Sequence, residues 1–185
     1  MVTTGVRIKF TYEDYCSAPE DKRYELHDGD LVVLPAPKER HQDVVGTLYY
    51  FLRAFVFGRK LGRVYIAPFD ILFTNTDVVQ PDVMFVSNDR LDIITPDNIQ
   101  GAPDLVIEVL SSSTAHRDRT FKRALYARHG VGEFWLVDTD AHNIEVLLLG
   151  VEGYETAAIY GAGQTLTSPT LTDFSLNIDE VFQGD

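Results

Sequence analysis

The chain has 185 residues and a mass of 20.8 kDa, which a single domain spanning residues 1–185 accommodates at roughly 100–200 residues per domain. Hydrophobic residues make up 45% and charged residues 24%, a balance that excludes a disordered chain and allows a sizeable core. The formal net charge of −12, taken as evenly spread, argues against a polyanionic partner, and the single cysteine, Cys16, excludes an internal disulfide or a zinc site built from several cysteines.

Thr11 followed by Glu13 and Asp14 predicts a helix start, and Pro19 closes that helix. Tyr24–His27, the turn Asp28-Gly29-Asp30 and Leu31–Leu34 read as a β-hairpin. Pro35 and Pro37 end it, and the recurrence of Val44, Leu48, Phe51/Leu52 and Phe55 predicts a long helix over 39–59. Three strands follow, Val64–Ile66, Asp70–Phe73 and Val78–Val86; Pro81 marks an edge, bulge or bend inside the last of them. A loop covers 87–103. Leu105–Leu110 reads as a buried strand, residues 115–129 as a helix that turns Phe121, Ala124 and Leu125 inward and stops at Gly130, and Phe134–Val137 as another strand. Ile144–Leu149 and Tyr154–Ala158 form a meander, and a short last element lies at Asp179–Phe182. The strand-helix-strand unit at 104–138 calls for a parallel pair beside antiparallel hairpins, hence a mixed α/β sheet.

The start, MVTTGVRIKF, has no apolar core of the signal-peptide kind, and no run of about 18 apolar residues occurs. Neither secretion nor membrane spanning is indicated, and a reducing cytoplasm is the simpler assignment.

Two carboxylates stand where strands should be apolar: Asp82 in Val79-Gln80-Pro81-Asp82-Val83 and Glu108 in Val106-Ile107-Glu108-Val109-Leu110. Burying one ionised carboxylate costs several kcal/mol unless it is paired or holds a metal. Two of them suggest a shared partner, and hard oxygen ligands of this kind suit Mg²⁺. The structural alternative makes Asp82 a bend residue and pairs Glu108 with an arginine on the sheet. On the helix, Asp118, Lys122 and Tyr126 sit at i, i+4 and i+8 and share a face. From spacing alone, a surface Asp–Lys pair is the favoured reading of that face, with a lysine aimed at a metal site as the functional one.

In order along the chain, these segments resemble the Uma2 family (DUF820), a bacterial branch of the PD-(D/E)xK nucleases with the restriction-endonuclease-like fold. The resemblance is carried by Tyr24-Glu25-Leu26 with Asp28-Gly29-Asp30, by His41, and by Val79–Val83. It continues through Pro103–Ser111, through Asp118, Lys122 and Tyr126, and through Gly130–Asp138. It implies metal-dependent phosphodiester hydrolysis with DNA as substrate, Asp82 and Glu108 being ligands of Mg²⁺ or Mn²⁺. The motif's lysine position is Leu110 here, and Lys122 stands where family members place a replacement lysine. Glu25 is assigned by the resemblance as an additional metal or water-orienting group, and His41 as a phosphate contact or proton shuttle; a surface histidine is the alternative for the latter. Relatives of this fold add, by analogy, a homodimer. A catalytically silent nucleic-acid or protein-binding module is the competing function, and an RNA phosphodiesterase a third.

Charge is also uneven along the chain. Residues 38–63 hold six Lys and Arg against Glu39 and Asp43, residues 116–133 hold five against Asp118 and Glu133, and from 134 onward there is no Lys or Arg but nine acidic residues. The expectation is two basic segments flanking the site, with the acidic C-terminal part facing away.

Overall fold

The structure, a computed structural model, describes residues 8–19 and 21–183; most of the N-terminal stretch MVTTGVRIKF, expected to carry no signal peptide, lies outside the described residues. Helix α1 (Tyr12–Cys16) opens as its first residues require: the Thr11 side chain accepts the Asp14 N–H and the Asp14 carboxylate accepts the Thr11 N–H, a reciprocal cap. Strands β1 (Arg23–His27) and β2 (Asp30–Leu34) pair antiparallel with His27 opposite Asp30. The two loop residues, Asp28 at φ 46° and Gly29 at φ 78°, take the left-handed conformations that a two-residue type I′ turn demands.

Helix α2 (Glu39–Arg59) buries Val44, Val45, Leu48, Leu52 and Val56, a stripe at helical spacing. After it come β3 (Gly62–Ile66), β4 (Asp70–Thr74), β5 (Asp77–Val79) and β6 (Val83–Ser87). The run 78–86, expected as one strand, is therefore two, and they belong to different sheets. Pro81 has no N–H to give a ladder and is restricted in φ, so the chain leaves one sheet at Val79 and enters the other at Val83. The expected loop at 87–103 contains a 3₁₀ turn (Asn88–Ile93) and a short β7 (Asn98–Gln100).

Strand β8 (Leu105–Leu110) pairs parallel with β9 (Glu133–Asp138), as a crossover helix requires. That helix has three stretches: α3 (Ala115–Arg117), a π turn (Asp118–Lys122) and α4 (Arg123–His129), closed by Gly130 at φ 83°. The π turn accounts for one correction. Ala124, expected inside, is exposed, while Asp118, Lys122, Leu125 and Tyr126 are buried, because a π turn adds a residue and rotates the helix beyond it. Strands β10 (Asn143–Gly150) and β11 (Gly153–Tyr160) complete the meander, and the tail adds a ribbon of β12 (Thr165–Thr167) and β13 (Ser175–Asn177) and a short α5 (Ile178–Val181).

The class is the mixed α/β one expected, but the sheet is divided. Among the described residues, one sheet runs β2-β1-β5-β4-β7, a second β11-β10-β9-β8-β6-β3, and the ribbon is separate. The larger sheet is buried on both faces. Leu105, Ile107 and Val109 of β8 join α2 and the tail in one cluster, while Val106 and Leu110 join Leu125 and Tyr126 in the other. Alternation along the strand thus turns Glu108 toward the 115–129 helix. No helix among the described residues is long and apolar enough to cross a membrane.

A further buried carboxylate, Glu133, is structural. It accepts the Trp135 indole N–H at 2.6 Å, the Ser168 hydroxyl at 3.0 Å and the Thr170 N–H at 2.8 Å, and so pins the tail to β9. Glu133→Ala leaves those donors buried without an acceptor and is expected to cost about 3 kcal/mol, or roughly 6–12 °C in Tm. Thermal unfolding measures the loss, and hydrogen exchange is expected to quicken at 168–171 first.

Candidate active site

The crossing between the sheets fixes Asp82. Its carbonyl accepts the Ala67 N–H at 3.0 Å, and its carboxylate Oδ2 accepts the Val109 N–H at 2.8 Å and lies 3.3 Å from His41 Nε2. A bend residue held in this way has its carboxylate pinned against β8, one residue past Glu108. His41 is brought there by the first turn of α2; it is half-buried, and its Nδ1 is buried without a hydrogen-bond partner among the described residues.

Glu108, 3% exposed, does not pair with an arginine. Its Oε1 receives Lys122 Nζ at 2.9 Å and the Tyr126 hydroxyl at 2.5 Å, so both donors fall on one oxygen. The same ammonium lies 2.9 Å from Glu25 Oε1 and 3.7 Å from Asp118 Oδ1. Glu25, on β1 of the other sheet, is fully buried; it also accepts the Gln80 N–H at 2.8 Å and meets His27 Nε2 at 2.9 Å. Lys122 is therefore a buried cation shared by three carboxylates on two sheets and its own helix, not one half of a surface helix pair.

One ammonium cannot neutralise all of these acids, and their environments separate them. Burial pushes Glu25 up, but Lys122, His27 and the Gln80 N–H more than offset that and hold its carboxyl at about 2. Glu108 goes the other way: burial, opposed only in part by Lys122 and reinforced by Asp118, Asp82 and Glu25, raises it well above the usual carboxylate range. Burial likewise raises Asp118 against the pull of Lys122. Lys122 itself is held protonated, since its carboxylates outweigh the burial that would lower it. Burial lowers His41 as well, yet the hydrogen bond and charge of Asp82 leave it raised on balance.

A cavity of about 520 Å³ opens onto this group, and Asp82, Glu108, Lys122, Asp118 and His41 all line it, with Ser111–Ser113 on one wall. Glu25 is not in the lining; it reaches the site through Lys122. Among the described residues no three His, Cys, Asp or Glu side chains are grouped to hold a metal by themselves. Two hard-oxygen carboxylates, Asp82 and Glu108, beside an unneutralised acidic cluster nevertheless fit a divalent cation completed by water and substrate, the mode typical of Mg²⁺.

The two basic segments meet the cavity only in part: Lys38 and Arg40 of 38–63 and Lys122 of 116–133 line it, while the other cations of these segments that pair do so elsewhere. Arg119 pairs with Asp138 and Glu145, Arg128 with Asp77 and Arg59 with Asp173, while Arg123 donates to the Tyr154 carbonyl. The cationic rim is Lys38 and Arg40 of the first segment with Arg23, which lies outside both. His27 was missed by the sequence reading although it lies two residues from Glu25 on the same strand face, a period-2 signal that could have found it. It stacks on Phe121 with ring centroids 4.4 Å apart.

A family model, Uma2, described as "Putative restriction endonuclease", matches residues 11–179. The chain belongs to the Uma2 family. A solved structure from Anabaena variabilis, described as a "putative nuclease belonging to DUF820", is similar with a TM-score of 0.78 and 20% identity, covering 94% of this chain and 97% of that one. At that identity the likeness is one of fold, and it places this Uma2 chain among nuclease-fold proteins. No curated protein matches it.

Lys122→Met leaves three buried carboxylates without their cation and is expected to cost about 3–5 kcal/mol, read by urea unfolding; a loss under 1 kcal/mol would mean that the cluster is neutral without it. Glu25, held at about 2 against an ordinary 4.5, contributes stability that is present above about pH 4.5 and lost as pH falls toward 2. Glu25→Gln is expected to flatten that acid limb in Tm measured against pH. Glu108 has the opposite sign: its raised carboxyl costs stability as pH rises above the ordinary value, so Glu108→Gln is expected to raise Tm at pH 8 in the presence of a chelator.

Proposed function

We propose that this Uma2 chain is a Mg²⁺- or Mn²⁺-dependent endonuclease that hydrolyses phosphodiester bonds in DNA. The observation that carries the reading is the convergence of Asp82 and Glu108, from different strands, on one cavity that also holds the Lys122 ammonium. Asp82 and Glu108 would hold the ion. When bound, the ion supplies Lewis-acid activation of water and stabilises charge building on the phosphate oxygens.

The chain's own groups do the remaining work. The Val109 N–H and His41 both engage Oδ2 of Asp82 and leave Oδ1 for a ligand. Lys122 and Tyr126, both on Oε1 of Glu108, set that carboxylate and leave Oε2 for a ligand. Glu25 acts through Lys122 as a positioning residue, holding the ammonium as a fixed positive charge near the reacting phosphate. His41, with Nε2 on Asp82 and Nδ1 otherwise unmatched, is the phosphate contact or proton carrier. The alternative of a silent module draws on Leu110, which stands where the motif's lysine would be; the ammonium of Lys122 at Glu108 answers it.

The test is incubation of supercoiled plasmid and single-stranded circular DNA with Mg²⁺ or Mn²⁺. Wild type is expected to cleave, and Asp82→Ala and Glu108→Ala to lose about 100- to 1,000-fold in rate. Cleavage that persists in both variants points to a contaminant, and a wild type that cleaves nothing favours the silent module.

A further inference from the structure

A second cavity, of about 480 Å³, lies along β3, with Tyr49 and Arg53 of α2 on one side and Tyr65, Ile66, Pro68 and Phe69 on the other. Strand β3 is an edge: among the described residues it pairs only with β6, and it lines this groove. The aromatic rings are half-buried rather than sealed in the core. Tyr65 and Phe69 lie 4.9 Å apart between centroids, and the exposed Arg53 guanidinium sits 5.8 Å above the Tyr49 ring. Tyr49 packs on one core cluster and Tyr65 and Phe69 on the other, so the rings are set around the sheet edge with a cation at Tyr49; aromatic rings beside a cation are what unpaired bases stack on, with the cation serving the phosphates.

This groove shares no lining residue with the acidic cavity but neighbours it through the backbone. Ile66 is in register with Val83, and the Ala67 N–H, between the lining residues Ile66 and Pro68, donates to the carbonyl of Asp82. Asp82 lines the acidic cavity and is one backbone hydrogen bond away from the aromatic, cationic groove. The charge of the molecule points the same way. Proteins that hold duplex DNA through its backbone neutralise roughly 6–10 phosphates, whereas the net charge is −12 and the acidic cavity's rim offers Arg23, Lys38 and Arg40. Glu108, 3% exposed, is approached only by a phosphate that enters the cavity, which a flexible strand does more readily than a paired one.

We infer that the groove of Tyr49, Tyr65, Phe69 and Arg53 is a base-stacking subsite for a single strand whose scissile phosphate lies at Asp82 and Glu108, so that the preferred substrate is single-stranded or frayed nucleic acid rather than closed duplex. This rests on the proposed nuclease activity and specifies its substrate.

The experiment uses the whole chain. Fluorescence anisotropy with Asp82→Ala in a chelator, which together suppress turnover, compares a labelled 12-nucleotide oligothymidylate with a labelled blunt duplex of the same length; a labelled proline-rich peptide runs in parallel. The cleavage assay repeats both nucleic-acid arms with wild type and Mg²⁺. Single strand is expected to bind and be cut at least 10-fold better than duplex. Tyr49→Leu and Phe69→Leu, which keep apolar volume and remove the ring, are expected to weaken single-strand binding about 10-fold each, within the roughly 1–3 kcal/mol that stacking of one base supplies. Arg53→Gln, at an exposed position that bears little on folding, is expected to weaken it several-fold and to lower its salt dependence.

Duplex bound and cut as well as single strand, or all three variants binding like wild type, overturns the inference while Asp82-dependent cleavage leaves the nuclease reading intact. Metal-dependent cleavage absent from every arm removes that reading, and the inference with it. Peptide binding that the variants abolish, with oligonucleotide binding unchanged, reassigns the groove to a protein partner and also overturns it.

Discussion

The structure depends on one buried ammonium. Lys122 Nζ is within 2.9 Å of carboxylates on β1 and β8, which belong to separate sheets, and within 3.7 Å of a third on its own helix. Each of those acids would be costly to bury alone, and so would the lysine. Together they tie the N-terminal hairpin, the central strand of the larger sheet and the crossover helix to one point. The π turn belongs to this arrangement: it is the stretch Asp118–Lys122 itself, where an extra residue per turn swings Lys122 and Tyr126 onto Glu108 and leaves Ala124 outside. Such insertions recur at functional sites because regular helical spacing rarely brings the needed side chains to one spot.

The second constraint is the passage at Gln80-Pro81-Asp82. A strand that continued from 78 to 86 would alternate its side chains regularly and keep Asp82 in one ladder. Breaking it at a residue without an N–H lets Gln80 give its own N–H to Glu25 while Asp82 takes the N–H of Val109. The sheets are joined at this point by hydrogen bonds to the two carboxylates, so the atoms that hold the fold together are also those of the proposed site.

Much of this was legible in the sequence, for reasons that particular residues make plain. Hairpin, long helix and parallel pair follow from turn chemistry at Asp28-Gly29, apolar recurrence along α2 and a crossover of suitable length. A charge inside an apolar strand is a strong signal because burial makes it expensive, which is why Asp82 and Glu108 stood out. Lys122 did not: in spacing, Asp118–Lys122 is indistinguishable from a solvent-exposed pair, and only the resemblance to Uma2 proteins singled it out. The division into two sheets was hidden because Pro81 signals a break without saying where the chain goes next. The exposure of Ala124 was hidden for a related reason, since nothing local announces a π turn; it depends on the point that Lys122 must reach in three dimensions. The pairing of Arg59, Arg119 and Arg128 with distant acids is tertiary too, and a running charge count along the chain cannot foresee it.

Glu133 and Glu108 show why burial alone does not identify a working carboxylate. Both lie in strands of the same sheet and both are nearly inaccessible. Glu133 is matched on each oxygen: the Trp135 indole on Oε1, the Ser168 hydroxyl and the Thr170 amide on Oε2. It has nothing left to bind, and its role ends with holding the tail. Glu108 has its two donors on a single oxygen, three other acids nearby and a cavity in front of it. Satisfying it with one more arginine would have cost the fold little, as the many arginine pairs elsewhere in this chain illustrate. Its incomplete pairing is a standing destabilisation that the proposed cation would relieve, and a protein keeps such a group where the relief is coupled to binding rather than to folding.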